Sequence, residues 1–246
     1  DHINVFPTFD NYKKQFEIFI EQIEENGCLF YYKNDQVLRE IVKQAKSTIE
    51  KTAYDIHSYT QHGNQSYLID LEKEIPLKIF GRHNLQNLSG AKLVCNKLGI
   101  EDDDFYNAIA EFKGASKRLE LLAENNKTRI FRDFAHSPSK LKATVNAVKG
   151  QYLSNDLVAI MELHTFSSLS ADFLNEYESS MDDADIAIVY YNPEVIGHKK
   201  LEPITKEQVK KAFNNEYLIV FTDRDKLVDF IKDIDLKNKT LLFMSS

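Results

Sequence analysis

Asp133 and His136 are the residues whose types and spacing first suggest chemistry in this sequence. They lie in the segment RDFAHSPSK, directly after a strand-like apolar run. Ligands of open α/β sheets bind beyond the carboxyl ends of the strands, and an acid and a histidine placed there would form such a site. The competing interpretation is a helix entrance, in which Ser137 caps the helix, Pro138 occupies its first turn and His136 is incidental.

Two carboxamides form a second candidate in the segment GRHNLQN. His83 and Asn84 fall where a predicted strand gives way to a helix, and Asn87 lies one turn later on the same helical face. A carboxamide can donate and accept at once, as the N6/N7 edge of adenine requires. The alternative is that Asn84 merely caps the helix.

Arg118 is the third candidate, in the segment FKGASKRLE after a predicted turn at Gly114. Its guanidinium could pair with a phosphate or stack on a base. The alternative is a solvated pair of Lys117 and Arg118 on a linker.

The second half of the chain has the pattern that would position Asp133 and His136. Short apolar runs alternate there with amphipathic stretches, which predicts a mostly parallel sheet covered by helices on both faces. The predicted strands are 128–131, 157–161, 186–191, 217–221 and 240–244, and the predicted helices are 138–150, 170–180, 205–214 and 224–234.

The first half has a different texture. Apolar residues predict a helix from Phe9 to Ile23 and a strand at 28–32, followed by a helical period through Val37, Ile41, Ala45 and Ile49. The polar stretch 57–66 is predicted to be a loop. Two apolar runs, 67–71 and 75–80, are predicted to pair as strands.

Composition excludes several classes of protein. Lys and Arg number 31 against 38 Asp and Glu, a net charge of −7, so the chain has no overall electrostatic footprint for nucleic acid. Cys28 and Cys95 have no spacing typical of disulfides or zinc sites. No apolar run approaches the length of a membrane span. We therefore expect a cytoplasmic α/β protein with no nucleic-acid or membrane partner.

A phosphate-binding loop is missing from the 246 residues. The eight glycines cannot form G-x-x-x-x-G-K-[ST] or G-x-G-x-x-G. A nucleotide enzyme of this architecture would need such a loop from elsewhere.

Taken in order, the segments DHINVFPTF, GRHNLQN, GASKRLE and DFAHSP resemble the Mur ligase superfamily. Its members are ATP-dependent amide ligases of peptidoglycan synthesis and folate polyglutamylation. The segments GRHN, RLE, DFAHSP and MELHTF are most similar to the muramate-type members. These join L-alanine, or in peptidoglycan recycling the tripeptide L-Ala-γ-D-Glu-meso-diaminopimelate, to UDP-N-acetylmuramate.

The resemblance implies a domain organisation. Residues 1–116 would be the later part of the central ATP-binding domain, and 117–246 a Rossmann-like C-terminal domain with a mostly parallel sheet and flanking helices. The UDP-sugar domain and the phosphate loop would precede Asp1, so residues 1–246 alone are expected to be inactive.

The resemblance also implies cofactors, substrates and residue roles. ATP would phosphorylate the carboxylate of UDP-N-acetylmuramate, and an amino acid or peptide amine would attack the acyl phosphate. In this scheme His2 would help to bind Mg²⁺ and His136 would face the phosphate or the amine. The nucleotide would be bound by His83, Asn84, Asn87, Arg118 and Asp133.

The sequence departs from the muramate-type pattern at two places. Ser137 stands where those ligases usually have a second histidine, and the stretch 162–168 lacks an arginine often found there. Two alternatives therefore stay open: a Mur-like domain that binds a nucleotide or a partner without catalysis, and a folate polyglutamate ligase.

Overall fold

The computed structural model describes residues 5–246, which fold into two compact units. The first unit runs to Lys113 and the second from Gly114 to Ser246. Among these residues, no helix combines the length and the apolar character that crossing a membrane requires.

Helices and strands of the first unit form an α/β arrangement with two small sheets. Strands β1 and β2 pair in parallel, and β3, β4 and β5 form an antiparallel meander. In chain order the elements are α1 (Phe9–Glu21), β1 (Cys28–Tyr32), α2 (Gln36–Gln44), β2 (Glu50–Tyr54), β3 (Tyr59–His62), β4 (Gln65–Asp70), β5 (Lys73–Leu77), α3 (Arg82–Lys97) and α4 (Asp102–Glu111).

The core of α1, α2 and β1 explains why the predicted helical period through Ile49 is wrong. Helix α2 ends at Gln44 because Ala45 is extended, and the carbonyl of Ala45 accepts a hydrogen bond from Lys51 Nζ at 3.1 Å. Ile49 is therefore not helical. It is nevertheless buried in the same cluster as Ile20 and Ile41. Ile49 joins this core just before β2, and its spacing from Ile41 in the sequence therefore resembles that of a helix.

The predicted loop at 57–66 is wrong as well. Strands β3 and β4 form a hairpin there, turning at Gly63, whose φ of 59° suits glycine. Strand β3 is mostly exposed, so its polar residues carry no apolar alternation. The predicted pairing of the next two runs is confirmed: β4 and β5 are antiparallel, and Leu68 of β4 is fully buried.

The second unit contains the predicted mostly parallel sheet with flanking helices. Its strand order is β10-β9-β8-β11-β7-β6, and only the edge strand β6 is antiparallel to its neighbour. The elements are β6 (Glu120–Glu124), β7 (Arg129–Asp133), α5 (Pro138–Gln151), β8 (Asp156–Glu162), a 3-10 helix (Leu174–Tyr177), β9 (Ile186–Tyr190), α6 (Pro193–His198), α7 (Lys206–Phe213), β10 (Ile219–Phe221), α8 (Arg224–Asp233) and β11 (Lys239–Met244).

The predicted strands of this unit are all present, but the predicted helix at 170–180 is wrong. That stretch consists of turns around the short 3-10 helix. Strand β6 and helix α6 were not predicted. The central strands form where predicted because they are covered on both faces: Val158 and Met161 of β8 have no exposed surface. Full burial of such side chains contributes about 1.5–3 kcal/mol each.

Strand β11 lies between β7 and β8 and pairs in parallel with both, so the carboxyl ends of the three strands are neighbours. Just after β11, the backbone N–H of Ser245 donates to the Asp133 carbonyl oxygen at 3.2 Å, and its hydroxyl donates to Glu162 Oε2 at 2.5 Å. The carboxyl edge of the sheet therefore carries Asp133, Glu162 and Ser245 side by side.

Candidate functional site

Asp133 ends β7 and is almost completely buried, with 6% of its surface exposed. Its Oδ2 accepts the backbone N–H of Leu119 at 2.5 Å. Leu119 has a φ of 47°, in the left-handed region that residues other than glycine rarely adopt. The carboxylate thus stabilises a strained backbone position, a structural role that the sequence did not predict.

The segment around Arg118 is fixed by a second acid, Glu120. The backbone N–H of Lys117, whose φ is 58°, donates to Glu120 Oε2 at 2.8 Å. Arg132 donates to the same oxygen, also at 2.8 Å. The Arg132 hydrogen bond, followed by that of Lys117, lowers the pKa of Glu120 below its usual value. Arg118 therefore projects from a short segment that is constrained on both sides.

Arg118 itself is exposed and stacks on an aromatic ring. Its guanidinium carbon lies 5.2 Å from the centroid of the Phe134 ring, within the range of a cation–π contact. Phe134 in turn meets the His136 ring edge to face, with centroids 5.1 Å apart. Arg118, Phe134 and His136 thus form one continuous group at the end of β7.

His136 is 9% exposed, and its Nδ1 lies 2.9 Å from the Phe134 carbonyl oxygen. A carbonyl oxygen can only accept, so Nδ1 carries the hydrogen of this bond. In the neutral ring Nε2 then holds the lone pair.

The helix-entrance interpretation of this segment is correct only in part. Helix α5 begins at Pro138 as that interpretation requires. Ser137 occupies the N-cap position, but its hydroxyl makes no capping hydrogen bond and is buried without a hydrogen-bond partner among residues 5–246. His136 packs against Phe134 and binds its carbonyl group, and its role in a ligand site stays a prediction.

The candidate carboxamides lie in the first unit, on the first turns of α3. The cap of α3 is Gly81, with a φ of 90°, so the interpretation of Asn84 as the helix cap is wrong. Asn84 instead donates to the Phe80 carbonyl oxygen at 2.8 Å. Asn87 is exposed one turn later, and His83 is half-buried beside them.

The predicted metal ligand His2 lies outside the described residues. Within 5–246 there is no group of three or more His, Cys, Asp or Glu side chains arranged to hold a metal ion.

Three features of the site were missed at the level of sequence. Phe134 is part of the motif, but nothing in its spacing indicates a stacking surface. The contact of Asp133 with the Leu119 backbone spans 14 residues. Tyr177, whose hydroxyl donates to the His136 carbonyl oxygen at 2.5 Å, is 41 residues from its partner.

Comparison with known proteins gives the family. The model of the Mur ligase middle domain matches residues 1–95, and that of the Mur ligase glutamate ligase domain matches 117–246. A UDP-N-acetylmuramate--L-alanine ligase of Caldicellulosiruptor bescii is 34% identical over an alignment of 203 residues that covers 77% of this chain and 44% of that protein. The chain spans about half the length of the curated relatives that it matches.

Two solved structures have a similar fold. The UDP-N-acetylmuramate-alanine ligase MurC of Thermotoga maritima matches with a TM-score of 0.67 and 15% identity, over 100% of this chain and 54% of that one. A folylpolyglutamate synthase of Mycobacterium tuberculosis, solved with ADP and AMPPCP, matches with a TM-score of 0.65 and 16% identity, over 96% of this chain and 56% of that one.

The motifs, the parallel sheet with its polar carboxyl edge and the two matched domain models agree with one another. The chain belongs to the Mur ligase family.

Proposed function

We propose that this chain is the part of an ATP-dependent muramate-type ligase that completes the nucleotide site and receives the incoming amine. Its substrates would be UDP-N-acetylmuramate and an amino acid or peptide, and its reaction would form an amide through an acyl phosphate in the cytoplasm. Residues 1–116 would belong to the central domain and 117–246 to the C-terminal domain. The 34% identity to a UDP-N-acetylmuramate--L-alanine ligase supports the muramate substrate over a folate.

The arrangement of Arg118, Phe134 and His136 at the carboxyl end of β7 is the observation that carries this proposal. Open α/β sheets bind ligands at that edge. The group combines an exposed cation, an aromatic surface and an imidazole. The Arg118 cation contacts the Phe134 ring, which in turn contacts the His136 ring. A phosphate-bearing ligand and an amine are the kinds of molecule that such a set can bind.

Each candidate residue has a proposed task. Bound ATP would supply the phosphoryl group that activates the substrate carboxylate. Arg118 is exposed on a constrained segment and would meet phosphate charge or stack on a base. Asp133 would contact the ribose, and Asn84 and Asn87 with His83 would border the adenine.

His136 would act on the amine. An ammonium group must lose a proton before its nitrogen can attack an acyl group, and Nε2 would take that proton. The new carbon–nitrogen bond would form as the carbon–oxygen bond to phosphate breaks. Magnesium would be expected with ATP, and of its candidate ligands this chain contributes His2.

A chimera tests the proposal. The amino-terminal part of the Caldicellulosiruptor bescii ligase would be joined to residues 1–246, and phosphate release would be measured with ATP and UDP-N-acetylmuramate. The amine would be L-alanine or the diaminopimelate tripeptide. We expect amide formation with one of these amines and none from residues 1–246 alone, because they contain no phosphate loop.

The same assay separates the alternatives. Turnover with a folate and glutamate, but not with UDP-N-acetylmuramate, would identify a folate polyglutamate ligase. Nucleotide binding without turnover on either substrate would identify a non-catalytic domain. Amide formation by the unfused chain would show that residues 1–246 do not need the amino-terminal part that the chimera supplies.

A further inference from the structure

Tyr177 is a buried tyrosine with a polar contact to the candidate site. It ends the 3-10 helix of the second unit, has no exposed surface, and its ring stacks on Phe213 with centroids 5.1 Å apart and planes at 10°. Its hydroxyl donates to the backbone carbonyl oxygen of His136 at 2.5 Å. A side chain far along the sequence therefore fixes the backbone of the candidate catalytic histidine.

The same hydroxyl lies near the turn that follows β8. The Ser168 side chain of this turn acts to lower the pKa of Tyr177. Ser168 in turn accepts a hydrogen bond from the Thr165 hydroxyl at 2.9 Å, and its backbone N–H donates to that Thr165 oxygen at 3.1 Å. Tyr177 thus binds the loop that follows β7 and lies beside the turn that follows β8.

Burial keeps the hydrogen bond from Tyr177 to the His136 carbonyl group intact across the physiological pH range. It raises the pKa of Tyr177 strongly, and the Ser168 side chain offsets only part of that increase. The phenol therefore stays protonated and remains a donor to the His136 carbonyl group at neutral pH.

We propose that Tyr177 is a positioning residue that holds the backbone of His136 in one fixed arrangement for the incoming amine. The inference rests on the proposed function, which gives His136 its role. The turn 165–168, whose hydroxyl groups bind one another, belongs to the stretch that lacks the arginine of the muramate-type pattern. Displacing a reacting group by about 1 Å can cost on the order of 100-fold in rate.

The chain offers a matched control. Tyr191 is also buried, with 2% exposure, and its hydroxyl donates to a backbone carbonyl oxygen, that of Ile204, at 3.0 Å. Tyr177→Phe and Tyr191→Phe each remove one buried hydroxyl and keep the ring. Both should lower the melting temperature to a similar extent, so stability alone cannot produce a difference between them.

Two measurements test the proposal. In the 246-residue chain, the imidazole NMR signal of His136, assigned by its loss in His136→Gln, should move in Tyr177→Phe and stay in place in Tyr191→Phe. In the chimera, Tyr177→Phe should raise KM for the amine or lower kcat by about tenfold and leave KM for ATP unchanged. Tyr191→Phe should change neither.

Two results would overturn the role of Tyr177. One is a wild-type His136 signal in Tyr177→Phe together with wild-type amine kinetics. The other is an equal kinetic loss in both variants. If the wild-type chimera forms no amide, the proposed function has failed, and the NMR comparison alone then decides whether Tyr177 positions His136.

Discussion

At the scale of single residues, Arg118 and Asp133 differ in a way that mutation can separate. Both are assigned to the nucleotide, but Arg118 is exposed on an aromatic ring whereas Asp133 is buried against a backbone N–H. Substitution of Arg118 should therefore affect binding, and substitution of Asp133 should also affect folding.

We expect Arg118→Ala in the chimera to raise KM for ATP by about tenfold, on the order of 1.4 kcal/mol. Its melting temperature should hardly change, because substitutions of exposed residues usually alter stability by within about 0.5 kcal/mol. Steady-state kinetics and thermal unfolding check this. Lys113→Ala removes another exposed cation of the same region and serves as the control. Normal ATP kinetics in Arg118→Ala would contradict the assignment.

For Asp133→Ala we expect a loss of about 1–3 kcal/mol in the free energy of unfolding, because the Leu119 N–H is left buried without its acceptor. Asp133→Asn keeps an acceptor oxygen and should recover most of the loss. Urea unfolding of the two variants measures the difference. Equal stability of Asp133→Ala and the wild type would mean that the contact with Leu119 contributes nothing.

At the scale of elements, Asp185 connects the amino end of strand β8 to helix α5. Its Oδ2 accepts hydrogen bonds from Lys149 Nζ in α5 and from the Leu157 N–H in β8, both at 2.6 Å. Burial acts to raise the pKa of Asp185, but these two hydrogen bonds, the charge of Lys149 and the backbone N–H of Asp185 together outweigh burial and lower the pKa below its usual 3.8. The carboxylate form therefore stabilises the fold.

The pH dependence follows from the sign of that shift. A depressed pKa contributes stability that is complete above the unfolded value of about 3.9 and is lost as pH falls through the folded pKa. We expect Asp185→Asn to be less stable than the wild type at pH 7, by less than about 1 kcal/mol because the pair is partly exposed. The difference should shrink as pH falls below about 4. Urea unfolding at several pH values would contradict this if the difference grew on acidification.

The elements that the sequence predicted are those whose burial is uniform. Strand β8 is buried along almost its whole length and could be identified from its apolar run alone. Strand β3 is mostly exposed, so its sequence resembles a loop, and the cluster around Ile49 gave a helical spacing without a helix. The site divides in the same way: Asp133 and His136 belong to one short motif, whereas the contact of Tyr177 with His136 depends on tertiary packing.

At the scale of the whole molecule, the junction between the two compact units should be the first place where a protease cuts. Lys113, Lys117 and Arg118 are exposed there. We expect trypsin to cleave at 113–118 and to leave a stable fragment that contains the second unit, as mass spectrometry of the products would show. First cleavage at Arg129, Arg132 or Lys140, inside that unit, would place the boundary elsewhere.

The position of β11 has a consequence for biosynthesis. This strand is synthesised after β7 and β8, yet it lies between them and pairs with both. Until it is synthesised, β7 and β8 each lack their shared neighbour, and unpaired apolar strands invite aggregation. In the nascent unit, the gap between β7 and β8 is therefore filled only after the residues of β11 have been synthesised.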